Sequence, residues 1–240
     1  MKRQVLRKRL THISFFLFPA TFVYFSPYVI VDATLKGIVC GSFLLFILLF
    51  LASLFLGRAF CSWACPLGGA QEMLSPLKKK IARRGKIVKW FIWAPWILAI
   101  IILDIRHGGY QEINPIYRTT YGFSLGNIYT AIAYTAILAL LLISFFVVGK
   151  RSFCRHFCWI SPFMILGSKL QSILKTPTLK LSKTENACIN CHRCTSNCLM
   201  GLDVEDMVTK NKLKNSECIL CGNCADVCKK GCLKLTFKKK

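Results

Sequence analysis

The sequence predicts an α-helical membrane protein with four transmembrane helices and a small α+β domain at its C-terminal end. Two observations predict it. Hydrophobic residues make up 54% of the 240 residues and mean hydropathy is +0.48, too apolar for an ordinary soluble domain. From about Lys175 the composition turns polar, and eight of the fourteen cysteines fall there in two identically spaced runs. The expected division is residues 1–174 as the membrane domain and residues 175–240 as a separate cysteine-rich domain, with Thr176-Pro177 as the linker.

Four apolar stretches are read as spans. Thr11–Val31 has 21 residues and no charge, Gly37–Leu56 has 20 and no charge, Ile87–Leu103 has 17 with Lys89 near its start, and Leu125–Val148 has 24 and no charge. A spanning helix takes about 20 mostly apolar residues, with a range of roughly 17–25. In the short third stretch, Lys89 is expected to snorkel to the headgroups. Trp90, Trp93 and Trp96 follow it, deeper than a purely interfacial belt. The first stretch follows a basic start, but it is too long for a signal-peptide core and no small-x-small cleavage site follows, so it reads as a retained anchor.

Lys and Arg set the orientation. Lys2, Arg3, Arg7, Lys8 and Arg9 precede the first span. Arg58, Lys78, Lys79, Lys80, Arg83, Arg84 and Lys86 fill the second connection, and Lys150, Arg151 and Arg155 follow the fourth span. The first connection, Asp32–Lys36, has only Lys36, and the third, Asp104–Ser124, has only Arg106 and Arg118. The positive-inside rule then places both termini and the C-terminal domain in the cytoplasm of a prokaryote, at its inner membrane. A net charge of +23 also suits nucleic acid. Here the basic residues fall between and after apolar segments, so the bilayer is the partner and nucleic acid is not. Asp104–Ser124 is the sizeable outside element, and its aromatic residues read as interface anchors.

A repeat follows the second and fourth spans. Gly57-Arg58-Ala59-Phe60-Cys61-Ser62-Trp63-Ala64-Cys65-Pro66 is matched by Gly149-Lys150-Arg151-Ser152-Phe153-Cys154-Arg155-His156-Phe157-Cys158-Trp159, with 93 residues from Cys61 to Cys154. The unit is two spans and a CxxxC pair. Positions i and i+4 share one helix face, and pseudo-symmetric halves place facing sites near the axis between them. Cys61, Cys65, Cys154 and Cys158 together supply four thiolates, enough for one Fe–S cluster. Buried free thiols, a redox thiol pair and a zinc site are the alternatives.

The C-terminal domain carries Cys188-x2-Cys191-x2-Cys194-x3-Cys198 and, thirty residues on, Cys218-x2-Cys221-x2-Cys224-x3-Cys228. This is the bacterial two-cluster ferredoxin run, in which the fourth Cys serves the other cluster. The expected ligands are Cys188, Cys191, Cys194 and Cys228 for the first [4Fe–4S] cluster, and Cys218, Cys221, Cys224 and Cys198 for the second. Zinc sites rarely use three Cys so closely spaced. The Pro that usually follows the fourth Cys is replaced by Leu199 and Lys229. Lys229, Lys230, Lys234, Lys238, Lys239 and Lys240 make the end of the domain basic, a face suited to an acidic redox partner or anionic lipid. Cys40, inside a span, and Cys232 belong to no motif.

Several redox and energy-coupling classes are absent. His12, His107, His156 and His192 are badly placed for a bis-His haem between spans. No CxxCH, GxGxxG or Walker motif occurs, and no paired carboxylates lie within the spans.

Four spans, a duplicated GRxFCxxxCP-like motif (Gly57–Pro66 and Gly149–Cys158) and a two-cluster ferredoxin (Cys188–Cys198 and Cys218–Cys228) resemble the NapH-type membrane ferredoxins. The C-terminal part of NosR and the oxidase assembly protein CcoG are related. Trp159 departs from the motif where Pro is expected, with Pro162 three residues on. The resemblance implies an electron carrier that takes electrons from the quinol pool and passes them to a respiratory reductase such as periplasmic nitrate reductase, through soluble ferredoxin-type or cytochrome partners, as a component of a quinol dehydrogenase. The sequence itself shows no quinone site. Two other readings stand beside it: a copper-handling reductase or maturation factor, since thiolates suit Cu(I), and a membrane anchor for a soluble ferredoxin-type partner.

Overall fold

The structure is a computed structural model that describes residues 2–78, 80–82, 85, 87–119, 124, 126, 128–174, 176–185 and 188–238. Lys79, Arg83, Arg84 and Lys86 of the second connection, residues 120–123 of the third, Leu125 at the start of the fourth stretch, Lys175, and the tail residues Lys239 and Lys240 lie outside the described residues.

Of the four expected spans, two form single helices long and apolar enough to cross a bilayer: α7 (Val88–Arg106) and α8 (Ile128–Val147). Only 11% and 22% of these helices is buried, so most of their apolar surface faces outward. The second stretch forms α4 (Gly41–Leu56), apolar but only 16 residues long. The first is not one helix. It runs as α1 (Lys2–Phe16), α2 (Phe18–Thr21), a 3-10 turn and α3 (Pro27–Thr34). The cause is proline. Pro19 and Pro27 lack the N–H that a continuous helix needs, and Ser26, ahead of Pro27, is pushed to φ −86°, ψ 122°.

The connections sort to two ends. At one, β1 (Ile38–Cys40) pairs in parallel with β2 (Glu112–Asn114), and Gln111 donates to the Gly37 carbonyl at 2.8 Å. Arg118 and Tyr117 hold Asp32 there at 2.9 and 2.6 Å. At the other end, the second connection meets the segment after α8: Lys150 donates to the Lys80 carbonyl at 2.9 Å, and Ala82 donates to that of Lys150 at 3.1 Å. The start of α1 also lies at this second end.

The repeat is visible in the fold. α4 leads to α5 (Phe60–Trp63) and α6 (Pro66–Leu74), and α8 leads to α9 (Ser152–His156) and α10 (Ile160–Leu174). α6 packs along α1, and α10 along α4. At Gly167 of α10, a Cβ would overlap Ser53 Oγ and sit 2.9 Å from the Phe50 carbonyl, so glycine is what lets the two backbones approach.

The cysteine-rich unit follows. Its first and last strands, β3 (Thr178–Lys183) and β4 (Leu233–Lys238), pair antiparallel. Between them lie α11 (Arg193–Ser196), α12 (Val204–Thr209) and α13 (Asn223–Asp226). Asp203 caps α12 by accepting from the Asp206 N–H at 3.2 Å.

Candidate functional site

The two cysteine runs fold as copies of one another. Asn190 and Leu220 share φ 51°, and His192 and Gly222 are both left-handed at 56° and 72°. These bends let each short run curl its first three thiols inward. Each fourth thiol accepts an N–H from four residues on: Leu202 to Cys198 at 3.4 Å and Cys232 to Cys228 at 3.3 Å. The turns after them also match, with Gly201 and Gly231 donating to the Cys198 and Cys228 carbonyls at 3.0 and 3.1 Å. Leu199 and Lys229, where proline is usual, thus sit in matching turns.

Two small cavities result. Cys188, Cys191, Cys194 and Cys228 line the first, together with Cys232. Cys218, Cys221, Cys224 and Cys198 line the second. The structure thus brings together each quartet that the spacing groups. Burial pushes the Cys218 thiol up to about 12. Burial also opposes ionisation of Cys228, but the N–H groups of Cys232, Lys230 and Gly231 outweigh it and hold that thiol below its ordinary value. Four thiols around each cavity are the donor set that a [4Fe–4S] cubane takes.

The two CxxxC elements also match. Cys65 donates to the Phe60 carbonyl and Cys158 to that of Phe153, both at 3.0 Å. Trp159 in place of proline leaves this turn intact. Cys61, Cys65, Cys154 and Cys158 are all buried, and close enough that an ionised Cys154 or Cys61 would raise the pKa of both Cys65 and Cys158. Burial, with those neighbours, pushes the Cys158 thiol up to about 12. The Cys61 sulfur lies 4.0 Å from that of Met164, and Gln71 reaches the Cys154 sulfur at 3.7 Å.

Two arginines bracket the four thiols. Arg58 lies close enough to Cys61, and Arg151 to Cys154, for charge attraction to an ionised thiol, and Arg151 also donates to the Cys61 carbonyl at 3.4 Å. Each is anchored by a buried glutamate that also holds a second cation. Glu72 binds Arg151 and, at 2.6 Å, Arg7. Glu217 binds Arg58 at 3.3 Å and Lys89 at 2.7 Å. Burial alone would raise the Glu72 carboxyl, but Arg7 and Arg151 hold it down at about 2. Four buried cations therefore face two carboxylates, a surplus of two positive charges. Such a surplus is costly unless an anion accompanies it, and a thiolate-ligated cluster is an anion. Arg58 Nε and Gln71 Oε1 are buried without partners among the described residues, a further sign that the cage suits a polar guest.

This network was missed by the sequence reading. The sequence reading uses Arg3, Arg7, Arg58, Arg151 and Arg155 to orient the spans, and Arg58, Arg151 and Arg155 also as members of the repeat, with no partner assigned to any of them. Lys89 does not snorkel: its side chain is fully buried on Glu217, because the ferredoxin unit covers that end of α7. The usable signal was scarcity, since only ten acidic residues occur in the chain and one of them, Glu217, immediately precedes a cysteine motif.

Glu217 immediately precedes Cys218, so the second cluster loop sits directly on the four-thiol site. Side chains of the N-terminal helix and the first CxxxC element take its carbonyls in turn. Arg58 donates to Ser216 at 2.7 Å, Ser62 to Ile219 at 2.7 Å, Trp63 to Leu220 at 3.4 Å, Gln4 to Cys221 at 3.0 Å and Arg3 to Gly222 at 3.1 Å.

Thiol quartets arranged in succession, the CxxxC quartet buried and ringed by cations, define an iron–sulfur electron-transfer protein. Comparison with known proteins agrees. A 4Fe-4S binding domain model matches residues 40–84 and 131–177, the two halves that carry the CxxxC elements, and a 4Fe-4S dicluster domain model matches residues 180–229. An uncharacterized protein of Methanocaldococcus jannaschii is 30% identical over 100% of this chain and 99% of its own length. The ferredoxin-type protein NapH of Escherichia coli is 25% identical over 75% of this chain. The methylamine utilization ferredoxin-type protein MauN of Paracoccus denitrificans is 23% identical over 70%. The matches span 62% of that NapH and 56% of that MauN. No solved structure matches. The chain belongs to the NapH-type polyferredoxin family, whose members are ferredoxin-type electron-transfer proteins.

Proposed function

We infer that the chain lies in the cytoplasmic membrane through all four apolar stretches, with both termini inside, and carries electrons from quinol to a cytoplasmic ferredoxin unit. The basic segments meet at one end of the molecule and the charge-poor connections at the other, as the positive-inside rule requires of such a topology. The observation that carries the electron route is the surplus of two buried positive charges around four buried thiols, directly beneath the second cluster loop. On this reading, Cys61, Cys65, Cys154 and Cys158 hold a third cluster. Cys218, Cys221, Cys224 and Cys198 hold the next, and Cys188, Cys191, Cys194 and Cys228 the last. Bound clusters supply one-electron transfer. The protein fixes their spacing, shields them from water and sets their charge environment.

Quinol as donor is supported by an apolar cavity between α3, α4, α7 and α10. Phe46, Trp93, Trp96 and Phe163 line it, and Trp93 Nε1 is buried without a partner among the described residues, a donor suited to a quinone oxygen. Phe163 packs edge-on against both tryptophans, and the next residue, Met164, touches Cys61. A respiratory reductase of the nitrate-reductase kind is the receiving system that the family suggests.

Iron and sulfide analysis of the purified chain tests the cluster count. Three cubanes give about twelve irons and two give about eight. Cys61→Ser with Cys154→Ser is expected to remove about four irons and leave the ferredoxin signals in electron paramagnetic resonance. Eight irons in both proteins would end the third centre. Quinol that fails to reduce the parent protein in lipid nanodiscs would end the quinol link.

A further inference from the structure

The ferredoxin unit has two equivalent loops, and the protein uses them unequally. The second loop is covered. Its stretch Ile219–Gly222 is sealed against α1 and α5, with Ile219 only 2% exposed. The equivalent stretch of the first loop, thirty residues earlier, is open. Ile189 is 54% exposed, Cys191 is exposed, and the His192 side chain is 78% exposed. The same backbone shape that serves as a docking face for the membrane unit is therefore displayed a second time.

The open copy is basic. Arg193, Lys229 and Lys230 are exposed around it. Glu205, the carboxylate lining that cavity, is 12% exposed and bound by His192. A positive rim around an exposed apolar side chain suits a protein that brings carboxylates to the rim and an apolar contact to its centre.

From this asymmetry we propose that the first cluster is the exit of the chain, and that the rim of Ile189, His192, Arg193, Lys229 and Lys230 docks an acidic soluble electron carrier. The second cluster is then an internal relay. The step is one electron: the reduced cluster held by Cys188, Cys191, Cys194 and Cys228 returns to its oxidised form and the carrier's redox centre is reduced by one electron. No bond forms or breaks at the cluster, and a proton taken up by a reduced flavin carrier comes from solvent. The inference rests on the ferredoxin quartets holding clusters, as proposed above.

The test uses the iron-loaded full chain in nanodiscs, reduced with dithionite and mixed in stopped flow with an oxidised, acidic flavodoxin as probe. Charge reversal of the rim (Arg193→Glu with Lys229→Glu) is compared with a matched reversal elsewhere on the unit (Lys210→Glu with Lys212→Glu). Rim charges act chiefly on association rate and its salt dependence. The rim pair is expected to slow flavodoxin reduction at least about tenfold at 0.01 M ionic strength, where screening is weakest. The difference should vanish near 1 M salt, and at about 0.1 M, where the Debye length is about 10 Å, the matched pair should stay within about twofold of the parent. Equal rates in all three iron-loaded proteins, or equal losses in both variants, would overturn the rim as a docking face. So would a rim pair that leaves the rate intact but changes hydrogen exchange at Ile189–Arg193 between anionic and zwitterionic nanodiscs, which would make the rim a lipid contact. A parent chain without iron would overturn the cluster reading itself.

Discussion

Glu217→Gln tests whether the ferredoxin unit is fastened to the membrane unit through charge. Glu217 is 4% exposed and accepts from Lys89, whose side chain has no exposure, and from Arg58, which is 3% exposed. Removing one partner of a buried pair costs about 3–5 kcal/mol, because the other charge stays buried and uncompensated. Glutamine keeps one carbonyl to accept from Lys89, so the lower end applies, about 3 kcal/mol, or roughly a hundredfold in the population of the undocked state. Hydrogen exchange of the iron-loaded protein reads this directly. The amides of Glu217–Gly222 are expected to exchange roughly a hundredfold faster, while those of the β3–β4 pair hold. Adding Lys89→Met, which removes the stranded ammonium, should restore part of the protection. If exchange across Glu217–Gly222 stays within about threefold of the parent, the buried charges do not fasten the seam and the reasoning fails.

Two further outcomes follow from the same structure. The Glu72 carboxyl is held at about 2 against an ordinary 4.5. A depressed carboxyl stabilises fully above its unfolded value and loses that contribution as pH falls, here between about 4.5 and 2, amounting to about 3 kcal/mol. Glu72→Gln should remove this acid-side loss in a pH series of unfolding, while lowering stability at neutral pH. Gly167→Ala places a Cβ on Ser53 Oγ and should destabilise the α4–α10 contact by about 1–3 kcal/mol in denaturant titrations. Unchanged stability would mean that the two helices are not in intimate contact.

The cysteine quartets were legible because ligation by short loops is written in local spacing. Residues 188–194 and 218–224 need only their own turns to curl around a cavity. The crossing of Cys198 and Cys228 comes from the two-cluster ferredoxin pattern, and each lines the cavity of the other run. The CxxxC repeat was visible because its two elements are copies, and its Trp159 departure proved harmless because the turn is closed by Cys158 and Phe153. What the sequence concealed is long-range. Arg7 and Glu72 are 65 positions apart, and Lys89 and Glu217 are 128 apart. No periodicity brings such pairs together, so the cations read as flanks. The first apolar stretch shows the reverse error. A count of uncharged residues ignores Pro19 and Pro27, and those two residues break it into short helices.

On the reading proposed above, the excess of two buried cations ties the closure of the joint between the two units to what the four thiols hold: with no anion there, like charges stand against one another beneath the second loop.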